Sequence, residues 1–282
     1  MDFYKQSFIK KTDRISRIVE RTFAKLPEIE SDRARLLTES YRATESLPTI
    51  IRRAKAFEHI LKNIPIVIRE EELIVGSSTT KARGCQTFPE YSYEWLEAEF
   101  DTVAERSADP FYISEKTKAE LKEANAYWKG KTNSELATSY MEPETLLAME
   151  HNVFTPGNYF YNGIGHVTVH YDWVLAVGFK GIRTRAENEL KACCPGQGNY
   201  AKKSRFLQAV IISCDAAIHY AHRYAELAYR EAEACADPAR KKELLVIAKN
   251  CLNVPENGAS GFYEACQSFW FVQQLPQIGR AH

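Results

Sequence analysis

No run of the sequence approaches the ~20 consecutive apolar residues that a bilayer-spanning helix requires, and neither sign of charge prevails, with 37 Lys+Arg against 37 Asp+Glu among 282 residues. The first absence excludes a membrane-spanning helix. The second removes the basic surface that nucleic acid or an anionic membrane would reward, so neither is expected as a partner. Met1 to Arg14 mix charges without an apolar core, which rules out a secretory signal there and points to a cytoplasmic chain. Glycine and proline are sparse, at 13 and 11 residues, too few for a fibrous or low-complexity polypeptide. Also absent are His-Glu-x-x-His, the phosphate-cradling Gly-x4-Gly-Lys-Ser/Thr, Gly-x-Ser-x-Gly and any zinc-type cysteine spacing. Gly163-Ile-Gly165 lacks the third glycine and the βαβ context of a dinucleotide fingerprint. No metal site and no bound cofactor are expected from these patterns.

What remains is ordinary globular chemistry, 45% hydrophobic and 12% aromatic. A chain of this length buries roughly 75% of its unfolded surface and folds without disulfides or a structural metal. Seven cysteines, an odd count, fit a reducing compartment. Cys193-Cys194 is vicinal without a Cys-x-x-Cys partner and reads as a pair of loop thiols. Most of the sequence has helical period. Helices are expected after Ser31 as N-cap, from Pro48 through Leu61, over Trp95–Val103 and Ser114–Trp128, and at Thr132-Asn133-Ser134-Glu135, which is a capping box. Longer ones follow at Asp172 to Ala192, Lys203 to Ala236, Pro238 to Leu252 with Asp237 as cap, and Gly261 to Leu275. In the second of these, Cys214, Ala217, Ala221, Tyr224 and Ala228 form a narrow stripe of mostly small residues that suits a central packing helix. Strands are expected at Ile64–Arg69, Glu72–Gly76 and His166–His170. With no internal repeat and no real linker, the chain reads as one continuous unit.

Three groups could carry chemistry. His219 and His222, three apart on a helix, could reach one metal ion, but surface or interface histidines are the plainer reading. Cys85, within Arg83 to Tyr91, could be a nucleophile, yet no base motif accompanies it and a structural turn accounts for it. Phe154 to Gly165 is a loop rich in glycine, asparagine and aromatics, of the kind that carries function. His166 directly follows it. A neutral imidazole beside side-chain amides suits the hydroxyls of a small polyol, although from the residues alone a satisfied core histidine is the plainer reading.

Several dispersed segments then add up. Ser31 to Tyr41, Ile51 to Phe57, Glu72 to Gly76, Phe88 to Ser92, Tyr127 to Thr132 and Phe262 to Phe271 resemble, in order, the N-terminal part of glycyl radical enzymes of the pyruvate formate-lyase (PFL) family. Ser134 to Met141 and Asn158 to Val167 are most similar to the cobalamin-independent glycerol and diol dehydratases. The resemblance covers residues 1–278, leaving 279–282 as a non-matching tail that suggests a truncation.

The resemblance implies a mainly α-helical α/β fold: the helical N-terminal region and first half-barrel strands of a ten-stranded α/β barrel. It implies a protein glycyl radical installed by a radical S-adenosylmethionine activase, a thiyl cysteine that takes hydrogen from a small polyol, a carboxylate that assists loss of water, and a homodimeric parent. His166 and Asn158 match positions that bind substrate hydroxyls, and Asn162 lies beside them. The thiyl cysteine and glycyl loop belong to a region beyond Ile278, and none of the seven cysteines here matches, so no catalytic residue is assigned. The reading is the N-terminal portion of a radical dehydratase of glycerol or a vicinal diol. A formate C-acetyltransferase-like or other carbon–carbon lyase is the enzymatic alternative, and a non-catalytic helical scaffold the other.

Overall fold

The computed structural model describes residues 12–157 and 168–279. After α1 (Asp13–Phe23) come β1 (Glu28–Glu30), α2 (Asp32–Ala43), α3 (Thr49–Asn63) and β2 (Gly84–Gln86). The middle of the chain holds α4 (Glu94–Ala98), a 3-10 turn at Val103–Glu105, α5 (Glu115–Trp128), α6 (Asn133–Ser139) and α7 (Pro143–Glu150). The last part is α8 (Tyr171–Lys191), α9 (Tyr200–Ala234), α10 (Pro238–Asn253) and α11 (Phe262–Gly279). The described residues are mostly helical, with one short pair of strands.

Helix starts follow local chemistry. The Ser114 hydroxyl accepts from the Thr117 N–H at 3.1 Å, Thr132 and Glu135 complete their capping box, and Asp237 accepts from the Ala239 N–H at 3.0 Å. Ser31 departs from expectation. It precedes α2 but gives its hydroxyl to Glu120, at 2.5 Å, and caps no helix N–H. The single helix expected over Trp95–Val103 is instead α4 followed by a turn and the 3-10 segment. Helices α1 and α7 are not among the expected helices and neither buries a side chain, although Ile15, Ile18, Val19 and Phe23 give α1 an apolar stripe at helical spacing. α1 is held from outside by ion pairs of Arg14, Arg17 and Arg21 with Glu243, Glu71 and Glu70.

α9 is the central element. Its Ala217, Ala221, Ala225 and Ala228 are buried, and α3, α8 and α10 pack closely around it. The main core gathers Tyr220, Tyr224, Phe271, Ile60, Leu61 and Ile247. A smaller core of Ile29, Leu96, Phe100, Val103 and Leu121 lies beside the strands.

The three expected strands are corrected. Neither Ile64–Arg69 nor Glu72–Gly76 forms a ladder, and described residues 168–170 are not strand; residues 166–167 lie outside the described part. The sheet among the described residues is a parallel pair in which Glu28, Ile29 and Glu30 face Gly84, Cys85 and Gln86. The physical reason is a change of hydrogen-bond partner. Residues 64–77, broken by a turn at Glu70–Glu71, bury Ile64, Ile68 and Val75 as β-branched residues would in a sheet, and take side chains in place of a neighbouring strand. The Gln267 amide donates to the Val75 carbonyl at 2.7 Å and accepts from its N–H at 2.9 Å. Arg223 donates to the carbonyls of Leu61 and Ile64, Arg240 to those of Arg69 and Glu72, and Trp270 to that of Gly76. Ser77 ends the belt between two phenols, its carbonyl accepting from Tyr220 at 2.7 Å and its N–H donating to Tyr224 at 3.0 Å.

Candidate functional site

Asn158, Asn162 and His166 lie outside the described residues. Their C-terminal flank is described: Val169 is half-buried, whereas His170 is exposed and sets its Nε2 3.1 Å from the Asp172 carboxylate. Val169 and Val174 form part of one wall of an open apolar cavity of about 540 Å³ bounded by α3, α8, α9 and α11. The described residues that lead into α8 therefore lie, through Val169, at the edge of this cavity.

Elsewhere the chain is fixed by buried and half-buried polar contacts, most of which join two of the segments that carry the family resemblance. Arg33 is fully buried. It forms a bidentate pair with Glu90 at 2.5 and 3.1 Å, lies 4.0 Å above the Phe88 ring, and donates to the Ile278 carbonyl at 2.7 Å. Arg52 donates to the Tyr127 hydroxyl at 2.6 Å, and Trp128 to the Thr38 hydroxyl at 2.8 Å. Gln267 binds Val75 as above. The pairing of these segments is not legible in the sequence, because Asp32, Arg35 and Glu39 surround Arg33 and nothing local marks it as the buried charge.

The other candidates resolve into structural positions. Cys85 sits within β2 opposite Ile29, its neighbour Gln86 accepting from the Arg33 N–H, so the Arg83–Tyr91 stretch packs against α2. Burial pushes the Cys214 thiol up to about 12 and raises Cys251 further, which leaves both protonated and unreactive in helix contacts. Cys193 and Cys194 are free thiols at the end of α8 whose sulfurs face the carbonyls of Glu189 and Ala192. The His222 Nε2 lies 3.0 Å from Glu256, which also meets Lys180. Burial, together with Lys62 and Arg223, lowers the pKa of His219. No group of three metal-ligating side chains converges among the described residues.

At α8 the backbone leaves helical geometry at Gly178, where φ is 63°. The freed N–H groups of Phe179 and Lys180 donate to the carbonyls of Pro255 and Glu256 at 2.8 and 2.9 Å. A β-carbon at Gly178 would lie 2.2 Å from the Glu256 oxygen, so only glycine admits this approach.

The fold is that of a glycyl radical enzyme's N-terminal region. A family model for pyruvate formate lyase-like proteins matches residues 9–279, and the chain belongs to that family. A solved structure addressing 1,2-propanediol dehydration in Roseburia inulinivorans superimposes with a TM-score of 0.93 at 62% identity, over 96% of this chain and 32% of its own. The glycerol-bound B12-independent glycerol dehydratase of Clostridium butyricum gives 0.93 at 49% identity, over 97% of this chain and 35% of its own. Among curated relatives, (2S)-3-sulfopropanediol dehydratase of Klebsiella oxytoca is 34% identical over 94% of this chain and 33% of its own length. The chain thus spans about a third of the proteins it matches. Among the described residues no helix is long and apolar enough to cross a membrane.

Proposed function

We propose that the chain supplies the N-terminal, substrate-facing part of a glycyl radical dehydratase acting on a small vicinal diol such as 1,2-propanediol or glycerol. The observation that carries this reading is the gradient of identity: 62% and 49% to the proteins of propanediol and glycerol dehydration, against 34% to the sulfopropanediol enzyme. His166 and Asn158 are assigned to the substrate hydroxyls, with Asn162 beside them. Imidazole and amide each donate and accept, as a hydroxyl requires, and none adds the fixed positive charge that a sulfonate or carboxylate substrate would call for. The radical supplies hydrogen abstraction from the diol; the residues named here hold the diol in register for it. A radical S-adenosylmethionine activase and a second copy of the full-length enzyme are the partners in this reading.

The test is a chimera of the Roseburia enzyme carrying residues 1–279 of this chain in place of its matched third. We expect dehydration of 1,2-propanediol or glycerol and none of sulfopropanediol. His166→Ala in the chimera should lower kcat/KM by about 5–150-fold, the equivalent of ~1–3 kcal/mol for one lost hydrogen bond to a buried hydroxyl, with the radical signal in electron paramagnetic resonance unchanged. Unaltered kinetics would return His166 to a packing role.

A further inference from the structure

We propose that the solvent side of α10 is a docking seam for an acidic amphipathic helix of a second protein, one that sets leucine-type residues against Leu245 and Leu252 and Glu or Asp against Lys242 and Lys249. On its inner side α10 buries Leu244, Ile247 and Cys251, three and then four residues apart, in the core it shares with α9. On the other side Lys242, Leu245, Lys249 and Leu252 repeat that rhythm, three, four and three apart, and all four are exposed. Such spacing lines side chains up along one seam of a helix, the geometry by which two helices interlock. Leu245 and Leu252 are 43% and 44% accessible and Val246 beside them 38%, so the seam holds apolar surface in water. The helix is already formed. Asp237 caps its start, and the Val254 N–H closes its last turn on the Asn250 carbonyl at 2.8 Å, which lowers the ordering cost of binding.

Charge names the occupant. The exposed charges of α10 are all positive, Lys241, Lys242 and Lys249, whereas its one carboxylate, Glu243, is half-buried and taken by Arg14 and Arg240. Among the described residues none of the three lysines forms an ion pair. Glu264, a carboxylate that Lys249 influences, is bonded to Asn253 and Ser260. An acidic helix supplies what the seam lacks, since lysine stems lie along apolar surface while their ammonium groups reach carboxylates at the rim. A second copy of this chain does not supply it. Parallel seams would set lysine on lysine and antiparallel seams lysine on leucine, and neither arrangement neutralises the charge. An anionic bilayer also fits poorly, because a helix lying on lipid separates a broad apolar face from a basic one. Here the lysines stand on the apolar line itself and would be drawn into the hydrocarbon with it. The inference is independent of the dehydration reading.

The probe is a fluorescein-labelled peptide of about three heptads, with Glu at the positions facing Lys242 and Lys249 and Leu at those facing Leu245 and Leu252. A counterpart carries Lys in place of those Glu. Fluorescence anisotropy with the 282-residue chain should show saturable binding of the acidic peptide with Kd on the order of 10–100 μM, as suits a small interface, weakening about tenfold or more between about 0.05 and 0.5 M salt. The Lys peptide should not bind. Lys242→Glu with Lys249→Glu should invert that preference, and Leu245→Glu should weaken the acidic peptide by about tenfold or more. Leu147→Glu on α7, at an exposed apolar position outside the seam, should leave it unchanged. The substituted side chains are all exposed, so circular dichroism melts should match wild type; if the Leu245 variant unfolds, the charge inversion decides. The full-length chimera with the Roseburia enzyme should bind the acidic peptide equally. Absence of saturable binding, equal binding by the seam variants, or loss of binding in the chimera overturns the proposal, the last because the whole enzyme would then cover the seam. Tighter binding to phosphatidylserine vesicles than to the peptide overturns it in favour of a membrane. Dimerisation abolished by Leu245→Glu, without peptide binding, overturns it in favour of a second copy.

Discussion

Arg33 and Glu90 illustrate how much a single residue can hold. Removing one partner of a buried bidentate pair leaves an uncompensated charge, which typically costs ~3–5 kcal/mol. Arg33→Met should therefore destabilise the chain by that order in denaturant unfolding, and Arg33→Met with Glu90→Gln should cost less than the two singles summed. An additive double variant would show that the pair acts through its separate contacts with Thr87 and Ile278. Glu135 gives a pH prediction. Partial burial alone would raise its carboxyl, but the N–H groups of Gly130 and Thr132 and the Thr132 hydroxyl outweigh that and hold it below the usual range. A carboxyl lowered in the folded state contributes stability that is complete above its unfolded pKa of about 4.3 and is lost as pH falls through the folded value. Unfolding free energy measured between about pH 5 and pH 2 should fall less steeply in Glu135→Gln than in wild type. An unchanged slope would assign the acid sensitivity to other carboxylates.

At the scale of elements, the belt at residues 64–77 shows where pattern reading ends. Its β-branched residues are buried as in a strand, yet its backbone groups are met by side chains from α9, α10 and α11. Gln267→Leu would strip two of these bonds and leave the buried Val75 N–H and carbonyl unpaired, at ~1–3 kcal/mol per group. Hydrogen exchange at Val75 should accelerate while amides in α10 remain protected. Uniform loss of protection would mean that the belt opens only with the whole molecule. The break in α8 is equally illegible from sequence, where Asp172 to Ala192 reads as one helix containing a glycine. The reason for Gly178 is the loop at Pro255 and Glu256 that lies against it. Gly178→Ala must adopt a left-handed backbone and displace that loop, so a loss of at least about 1–2 kcal/mol is expected from thermal unfolding. A neutral substitution would show that α8 straightens.

Across the whole molecule, α11 carries apolar residues on more than one face. Phe271, Val272 and Leu275 are buried, while Phe262 is 88% and Phe269 46% exposed. Concentration-dependent association in light scattering and binding of a hydrophobic dye should follow, and Phe262→Ser with Phe269→Ser should reduce both. A monomer at all concentrations would mean that this face is harmless in water. By itself the sequence determined the family, the helical character and most helix starts, because caps and 3.6-residue periods are local and the motifs are read in order. For the candidate site it offered Asn158, Asn162 and His166 through a motif. Only the tertiary structure decided what those motifs hold on to: Arg33 to Ile278 and Gln267 to Val75, pairs 245 and 192 residues apart. It likewise decided that the belt is no strand and that four helices leave a groove between them. Such contacts depend on which distant side chain arrives at a buried backbone group, and no local period encodes that arrival.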